Sequence, residues 1–274
     1  MEQIYFTTED DFYKIISKYT PNYQDIIQIP TGWTNYVFKV KTDNGSYIYR
    51  FPRNQFFSEA LKKEIDFNHY IQDKITLKTP KLFAMYDKGR LFSLHKLIEG
   101  QSLTECFDKL SPQEITTLTD DLCQFIKNFQ EIDHSDFALD KLSLFLTNLA
   151  YVNKEANYDF NVLIPLKNME QKSNVLVHGD LNPGNLILKN NKLIAVIDFA
   201  FVSESTEIID LSRLIGRLPK NYKEAFYDSY KKIVGKTIND DEIKQLMDIW
   251  TYVELNYIDY IKKVHKDIIL PPNV

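Results

Sequence analysis

The chain has 274 residues, of which 44% are hydrophobic and 26% are charged, so its composition is that of a folded globular protein and excludes disorder and a coiled coil. Its length predicts two domains, or one domain with two lobes. The formal net charge of −5 argues against nucleic acid or an anionic membrane as the main partner, because both require a basic surface.

The cellular environment is predicted from what the sequence lacks. Two cysteines, Cys106 and Cys123, are too few for a disulfide framework and favour a reducing compartment. The N-terminal segment is acidic and has neither the basic nor the apolar region of a signal peptide. No apolar run approaches the roughly 18 to 20 residues that a membrane span requires. We therefore expect a soluble, cytoplasmic protein.

The first part of the chain is rich in strand signals. The spacing of apolar residues predicts a helix over residues 10–19. Within residues 26–53, two β-rich runs flank the turn sequence Asp-Asn-Gly at 43–45, which is a strong hairpin signal. Residues 58–71 then predict a helix, and residues 82–97 predict a second hairpin.

The character of the chain changes after Gly100, where helical patterns dominate. Amphipathic stripes predict helices within residues 118–129 and 142–151, and everything beyond residue 210 is helical in pattern. Three short strands are predicted between these helices, at residues 175–177, 185–188 and 192–197. The sequence therefore predicts an α+β protein with a strand-rich N-terminal lobe (1–98) and a mostly helical C-terminal lobe (99–274).

The motif most informative about chemistry begins at His178-Gly-Asp180. Asn185 follows on the same loop, and Asp198 follows across the last predicted hairpin, in the sequence Ile-Asp-Phe-Ala. A carboxylate that accepts a hydroxyl proton, with an amide oxygen and a second carboxylate that hold Mg²⁺, is what phosphoryl transfer requires. Each residue alone would be typical of a turn. The joint pattern favours Asp180, Asn185 and Asp198 as catalytic residues, with Asn185 and Asp198 as the metal ligands.

The run from His178 to Asn185, followed by Val-Ile-Asp-Phe, resembles the Brenner-type motif of the aminoglycoside phosphotransferase-like family, which includes choline kinases and other small-molecule kinases. The resemblance covers nearly the whole chain. It implies a bilobal protein-kinase-like fold with the nucleotide between the lobes, Mg²⁺ as cofactor, and ATP or GTP as phosphate donor. It also implies that His178 and Asp210 support the catalytic loop, with Asp210 hydrogen-bonding back to it. From the residues alone, Asp210 is also a plausible N-cap of the helix that starts there.

Two predicted phosphate-binding elements lie in the N-terminal lobe. Gly32, Trp33 and Thr34 lie between β-like segments, where backbone N–H groups could cover phosphates, although a plain β-turn explains a single glycine equally well. Arg50 stands where protein kinases carry a phosphate-binding lysine, and its planar, permanently charged side chain can bind phosphate oxygens. Glu64 is its candidate partner. The alternatives are that Glu59 is the partner, or that Glu64 is a solvated helix charge.

The connector between the lobes contains the candidates for nucleobase binding. In kinases such a connector offers backbone hydrogen bonds to the base, which makes Lys96, Leu97 and Ile98 the candidates here. Nothing in this segment separates ATP from GTP.

Three functions are compatible with these motifs. A protein kinase is disfavoured because the chain lacks a multi-glycine loop and has Ala200 in place of the glycine of Asp-Phe-Gly. An inactive kinase-like binding module is disfavoured because the base and metal positions are all intact. A small-molecule kinase, transferring phosphate from a nucleoside triphosphate to an alcohol, is the function that remains.

The acceptor substrate is predicted from the C-terminal helix. Acidic residues outnumber basic ones there, and Trp250, Glu254 and Tyr257 recur on one helical face. Carboxylates and aromatic faces bind amines, so we predict that Asp180 and these three residues contact a cationic acceptor. An aminoglycoside antibiotic is the first choice, and choline or another amino alcohol is the second. The alternative is that Trp250 and Tyr257 are core residues and that the acids are merely solvated.

Overall fold

The structure is a computed structural model that describes residues 9–30, 32–152 and 158–264. The described residues form two compact units. Unit 1 comprises residues 9–30, 32–69, 80–97 and 258–264, and unit 2 comprises residues 70–79, 98–152 and 158–257. The lobe limits given by the sequence, 1–98 and 99–274, stay a prediction.

Unit 1 is built on a five-stranded antiparallel sheet with two helices. The strands are β1 (Asp25–Ile29), β2 (Asn35–Thr42), β3 (Gly45–Pro52), β4 (Phe83–Asp87) and β5 (Arg90–Lys96), and the helices are α1 (Glu9–Tyr19) and α2 (Gln55–Ile71). The strand order in the sheet is β1-β2-β3-β5-β4. The hairpin predicted at the Asp-Asn-Gly turn joins β2 to β3, with Thr42 paired to Gly45.

The two faces of this sheet contact different helices, and successive side chains of a strand point to opposite faces. On one face, Phe12 and Ile16 of α1 pack against buried aromatic residues of the strands, which include Phe38, Phe51 and Phe92. On the other face, Arg50 of β3 meets α2 through Glu64. The aromatic core thus fixes α1 on one face, and the opposite face carries the Arg50–Glu64 pair beside a buried apolar cluster that α2 shares with Leu91 of β5.

Unit 2 contains most of the helices. They are α3 (Pro112–Gln130), α4 (Leu142–Val152), α5 (Ile164–Lys172), α6 (Ile209–Ile215), α7 (Lys220–Val234) and α8 (Asp240–Val264), the last of which contributes its residues up to Tyr257 to this unit. Helix α3 begins with a capping box, in which Ser111 N donates to Glu114 Oε2 over 2.8 Å. Its buried face packs on α7, where the hydroxyls of Thr119 and Ser229 lie 2.9 Å apart.

Short strands complete unit 2 and carry the loop of the predicted motif. They are β6 (Gln101–Ser102), β7 (Val175–Val177), β8 (Leu186–Lys189), β9 (Lys192–Val196) and β10 (Ser203–Ser205). One sheet has the order β6-β8-β9, and β10 pairs with β7 in the other. The segment around Lys78 belongs to this unit because Lys78 N donates to Ile194 O and Lys78 O accepts from Val196 N.

Several elements were not predicted from the sequence. β1 is a five-residue strand, and β6 and β10 are only two and three residues long. Helix α5 has nine residues and no long apolar stripe. The strand-rich first part and mostly helical second part match the predicted α+β organisation. No helix within the described ranges is long and apolar enough to span a bilayer.

Candidate active site

The loop between β7 and β8 brings Asp180 and Asn185 together. The side-chain nitrogen Nδ2 of Asn185 donates to the backbone oxygen of Asp180 over 2.9 Å and lies 3.3 Å from its Oδ2. Asn182 adds a second tie, because its Nδ2 donates to Asp180 O and its Oδ1 accepts from the Gly184 N–H. The loop therefore holds its own shape through amide side chains.

Gly179 is required where this loop passes Phe201. Its φ of 80° is in the left-handed region that residues with a Cβ rarely adopt. A Cβ added at this position would lie 2.2 Å from the carbonyl oxygen of Phe201. Both the conformation and the close approach exclude a side chain, so the glycine before Asp180 is structural.

Asp210 binds the start of the same loop. Its carboxylate accepts the backbone N–H groups of His178 and Gly179, each over 2.9 Å. Burial raises the pKa of Asp210, although His178 and the two N–H groups act in the opposite direction. Helix α6 begins at Ile209, so the expectation that Asp210 is its N-cap is wrong. Asp210 lies inside the first turn, and its carboxylate oxygens accept hydrogen bonds from the loop instead.

His178 is fully buried and connects the loop to the end of β9. Its Nε2 lies 3.1 Å from the carbonyl oxygen of Ile197, and its ring packs on Phe199 with centroids 4.6 Å apart. Since a carbonyl only accepts, Nε2 carries the proton, and Nδ1 is then able to accept the Asp180 N–H at 3.3 Å. These contacts are those of a structural histidine.

Asp198 lies two residues beyond the end of β9 and has a backbone conformation unusual for a residue other than glycine. Its φ is 67°, and outliers of this kind cluster at functional sites. The preceding residue, Ile197, donates its N–H to the carbonyl oxygen of Asn185 over 3.0 Å. Asp198 is therefore one residue away from a direct backbone contact with Asn185. The β8–β9 hairpin thus brings Asn185 and Asp198 close together although they are 13 residues apart in the sequence.

The donor set of Asn185 and Asp198 fits Mg²⁺. An amide oxygen and a carboxylate are hard oxygen ligands, and Mg²⁺ in phosphoryl-transfer sites binds one or two carboxylates together with substrate phosphates. Within the described ranges, no group of three or more His, Cys, Asp and Glu side chains could hold a metal by itself. The remaining ligands would come from the nucleotide and water.

Arg213 is a residue of the candidate site that is not predicted from the sequence. On α6, its Nε and Nη2 both donate to Oδ1 of Asp180, with Nε at 2.9 Å. Burial acts to raise the pKa of Asp180, but the charge and hydrogen bonds of Arg213 outweigh it and the pKa is lowered. A signal for Arg213 did exist: an arginine between Leu211 and Leu214 on a short apolar helix is a charge at a core position, which requires a buried partner.

The predicted acceptor-binding residues of α8 have different environments. Trp250 and Tyr257 are buried, at 5% and 7% exposure. Glu254 accepts from Arg213 Nη1 at 2.5 Å and from Arg217 Nη2 at 2.7 Å, both on Oε1. The structure therefore brings Glu254 to Asp180 through a shared arginine, and places the two aromatic residues in the packing of the unit.

In unit 1, Arg50 pairs with Glu64. Arg50 Nη1 lies 2.7 Å from Oε1 and Nη2 lies 2.8 Å from Oε2, which is the bidentate geometry. Glu64 is 1% exposed, so it is not a solvated helix charge. Glu59 is exposed and accepts from Gln55 instead.

The loop that contains Gly32 is fixed by Arg53. Arg53 donates from Nε and Nη2 to the carbonyl oxygen of Gly32, at 3.2 and 3.0 Å, and its guanidinium lies over the Tyr36 ring. Its backbone N–H donates to Thr34 O over 3.1 Å. A Cβ on Gly32 would lie 2.4 Å from Asn35 O, so only glycine fits there. Trp33 lies half-buried in the same loop.

The connector residues lie at the end of β5. Lys96 is exposed, and Leu97 and Ile98 are half-buried. The N–H of Leu97 donates to Ser46 O over 2.8 Å, which extends the pairing of β5 with β3 by one residue. The preceding His95 is buried, and burial together with the charge of Arg50 lowers its pKa to about 3, so it is neutral at physiological pH.

With this geometry in place, the comparisons identify the class of protein. The chain matches the model of the phosphotransferase enzyme family (APH) over residues 25–243 and therefore belongs to that family. The prediction of an enzyme, a phosphotransferase of the small-molecule kinase class, is confirmed by this membership. No curated protein sequence matches the chain significantly.

Solved structures show the same fold at low sequence identity. The GDP and kanamycin complex of APH(2")-IIia is 16% identical, with 94% of each chain covered and a TM-score of 0.68. ADP-bound aminoglycoside phosphotransferase APH(2'')-Ib is 19% identical, with 94% of each chain covered and a TM-score of 0.65. Macrolide 2'-phosphotransferase MphH from Brachybacterium faecium is 14% identical, with 93% of this chain and 92% of that chain covered and a TM-score of 0.61. The predicted bilobal protein-kinase-like fold is thus confirmed.

Proposed function

We propose that the protein transfers the terminal phosphate of a nucleoside triphosphate to a hydroxyl group of a small molecule. The observation that carries this proposal is the assembly of Asp180 and Asn185 in one hydrogen-bonded loop, with Asp198 just beyond β9, the strand paired with β8. A proton acceptor and two oxygen ligands for a metal are thereby collected in unit 2. Membership of the phosphotransferase family supports the same conclusion.

The roles of these residues follow from their chemistry. Asp180 orients the acceptor hydroxyl and takes its proton as the bond to phosphorus forms. Asn185 and Asp198 would hold Mg²⁺, which when bound neutralises charge on the transferred phosphate. His178 and Asp210 fix the loop backbone, so that the Asp180 side chain starts from a constant position.

The nucleotide is assigned to residues of unit 1 and the connector. Arg50 is oriented by the bidentate bond to Glu64, and we assign it to the α- and β-phosphate oxygens. The backbone of Gly32, Trp33 and Thr34 would cover the phosphates, and the connector Lys96–Ile98 would meet the base. The similar structures contain GDP, ADP or ATP, which supports a purine nucleotide donor.

For the acceptor, an aminoglycoside is the first candidate and choline or another amino alcohol is the second. Support comes from similar structures whose complexes contain kanamycin, gentamicin or streptomycin. A cationic acceptor that binds Glu254 must compete with guanidinium groups already there. Arg217 is the one able to leave, because its side chain is 40% exposed whereas that of Arg213 is 8% exposed.

A nucleotide-consumption screen tests the proposal. The purified chain is given ATP or GTP with Mg²⁺ and with kanamycin, gentamicin, choline, amino acids, neutral sugars or a macrolide, and Asp180→Asn is run beside it. We expect acceptor-dependent consumption that Asp180→Asn lowers by about 10² to 10⁴. Consumption only with neutral or anionic alcohols would reject the cationic acceptor and retain the kinase. Undiminished consumption by Asp180→Asn would reject the kinase mechanism.

A further inference from the structure

The side chain of Arg213, next to the proposed base, donates hydrogen bonds to two carboxylates. Two of its nitrogens donate to Oδ1 of Asp180, and a third donates to Glu254. The residue is only 7% exposed, so these bonds form away from solvent. A guanidinium in such a place costs desolvation energy and is stable only because its donors are satisfied by carboxylates.

Helix α8 holds Arg213 from the other side. The guanidinium carbon lies 4.2 Å from the centre of the Trp250 ring, and Glu254, which binds Nη1, is one turn further along the same helix. Trp250 in turn meets the edge of Phe201, with ring centroids 6.1 Å apart. Arg213 is therefore clamped between Asp180 and a ring and carboxylate that belong to one rigid element.

The consequence for Asp180 is that its two carboxylate oxygens are no longer equivalent. Oδ1 accepts two charged donors from Arg213, whereas Oδ2 lies at the long distance of 3.3 Å from the Asn185 amide nitrogen. Rotation of the carboxylate would break the Arg213 bonds. Oδ2 is therefore the oxygen left to take a proton, and its direction is fixed.

We infer that Arg213 is a positioning residue for phosphoryl transfer: it anchors Asp180 by Oδ1 so that Oδ2 faces the acceptor hydroxyl. Trp250 and Glu254 keep Arg213 in place. The inference rests on the proposed function, because it assigns Asp180 as the proton acceptor. Misplacement of a catalytic group by about 1 Å can cost ~10²-fold in rate, which sets the size of the expected effect.

A double-mutant cycle tests this assignment in the full chain. Arg213→Lys keeps the charge but cannot supply two parallel donors to Oδ1. It is made alone and together with Asp180→Asn, and turnover of ATP and GTP is measured with Mg²⁺, with kanamycin and with water as the acceptor. Binding of ADP and GDP and the thermal unfolding midpoint are measured on each variant. Lys232→Gln, which breaks the exposed ion pair with Asp120, is the control for loss of an ion pair in the same unit.

We expect Arg213→Lys to lower kcat about 10²-fold with nucleotide binding unchanged, and to have less than about a 3-fold effect in the Asp180→Asn background. An equal loss of kcat in both backgrounds, or no loss in either, would overturn the inference. If Asp180→Asn itself keeps full turnover, the proposed function fails, and this result is distinguishable from failure of the inference alone. Should Arg213→Lys not fold, Glu254→Gln replaces it in the same cycle, with the same pattern expected at smaller amplitude and the same two results overturning it.

Discussion

Arg213 Nε donates a hydrogen bond of 2.9 Å to Oδ1 of Asp180, although 33 residues separate the two in the sequence. Three residues before Arg213, and therefore on the same face of α6, Asp210 binds the backbone N–H groups of His178 and Gly179. One short helix thus fixes both the main chain of the loop between β7 and β8 and the side chain of Asp180 that this loop carries. Both contacts are required to fix the Asp180 carboxylate, since hydrogen bonds to the loop backbone alone would not prevent its rotation.

Replacing Asp180 with Asn should leave nucleotide binding nearly intact and lower turnover by about 10² to 10⁴, the range for loss of a general base. Asn has the same shape and keeps an oxygen for Arg213, so the loss isolates the proton acceptor. The measurement is kcat together with the dissociation constant for ADP. Asp108→Asn, at an exposed position of the same unit, serves as the control. Near-normal turnover of Asp180→Asn would remove Asp180 from the mechanism.

Asp198→Asn should raise the Mg²⁺ concentration needed for half-maximal activity more than Asn185→Ala does. A carboxylate contributes a full charge to the metal, whereas an amide contributes only a dipole. Asn is chosen at position 198 because it tolerates the left-handed conformation, φ 67°, that this residue has. Titration of Mg²⁺ at saturating nucleotide checks the order. An unchanged Mg²⁺ requirement in Asp198→Asn would contradict its assignment as a ligand.

Gly179→Ala should destabilise the protein far more than Gly235→Ala. The two glycines have almost the same φ, 80° and 78°, so the cost of the left-handed conformation, about 1 kcal/mol or more, is common to both. An added Cβ at Gly235 has no atom within 4 Å, whereas at Gly179 it would lie 2.2 Å from Phe201 O. The difference in free energy of unfolding, measured in urea, isolates the steric clash. Equal losses of unfolding free energy in the two variants would contradict the clash, because they would mean that the loop of Gly179 moves away from Phe201 without a free-energy cost.

Arg50→Lys should weaken nucleotide binding by about 10-fold, because an ammonium group cannot reproduce the bidentate bond to Glu64 and at the same time stay aligned for phosphates. Glu64→Gln should have the same direction of effect. Glu59→Gln is the matched control, since this carboxylate is exposed and contacts Gln55. KM is measured for nucleotide and acceptor separately. A rise in KM for the acceptor alone would contradict the assignment.

The sequence was sufficient wherever the signal is local. The Asp-Asn-Gly turn predicts the β2–β3 hairpin because its residues suit the turn itself, and the spacing from Asp180 to Asn185 keeps both on one loop. Contacts between distant segments gave no such signal. The capping preference of Asp210 was outweighed by two buried N–H groups that only the folded chain brings to it. The sequence predicts Glu254 as a binding group because its arginine partners, Arg213 on α6 and Arg217 in the turn that follows it, are distant in the chain.

The charges around Glu254 give a prediction about the acceptor. Arg217 shares Oε1 of Glu254 with Arg213 but is the more exposed of the two, and an exposed ion pair is worth about 0.2 to 1 kcal/mol. If a cationic acceptor binds Glu254, removing this competitor in Arg217→Gln should lower KM for kanamycin by about 1.5- to 5-fold. KM for the nucleotide should not change.

Because the attraction is Coulombic and is screened within about 8 Å at physiological ionic strength, added KCl should raise KM for kanamycin in both proteins. The effect of KCl should be absent for any uncharged acceptor that the screen identifies. A KM for kanamycin that Arg217→Gln leaves unchanged, or that KCl does not alter, would show that the acceptor is not held at Glu254 by charge.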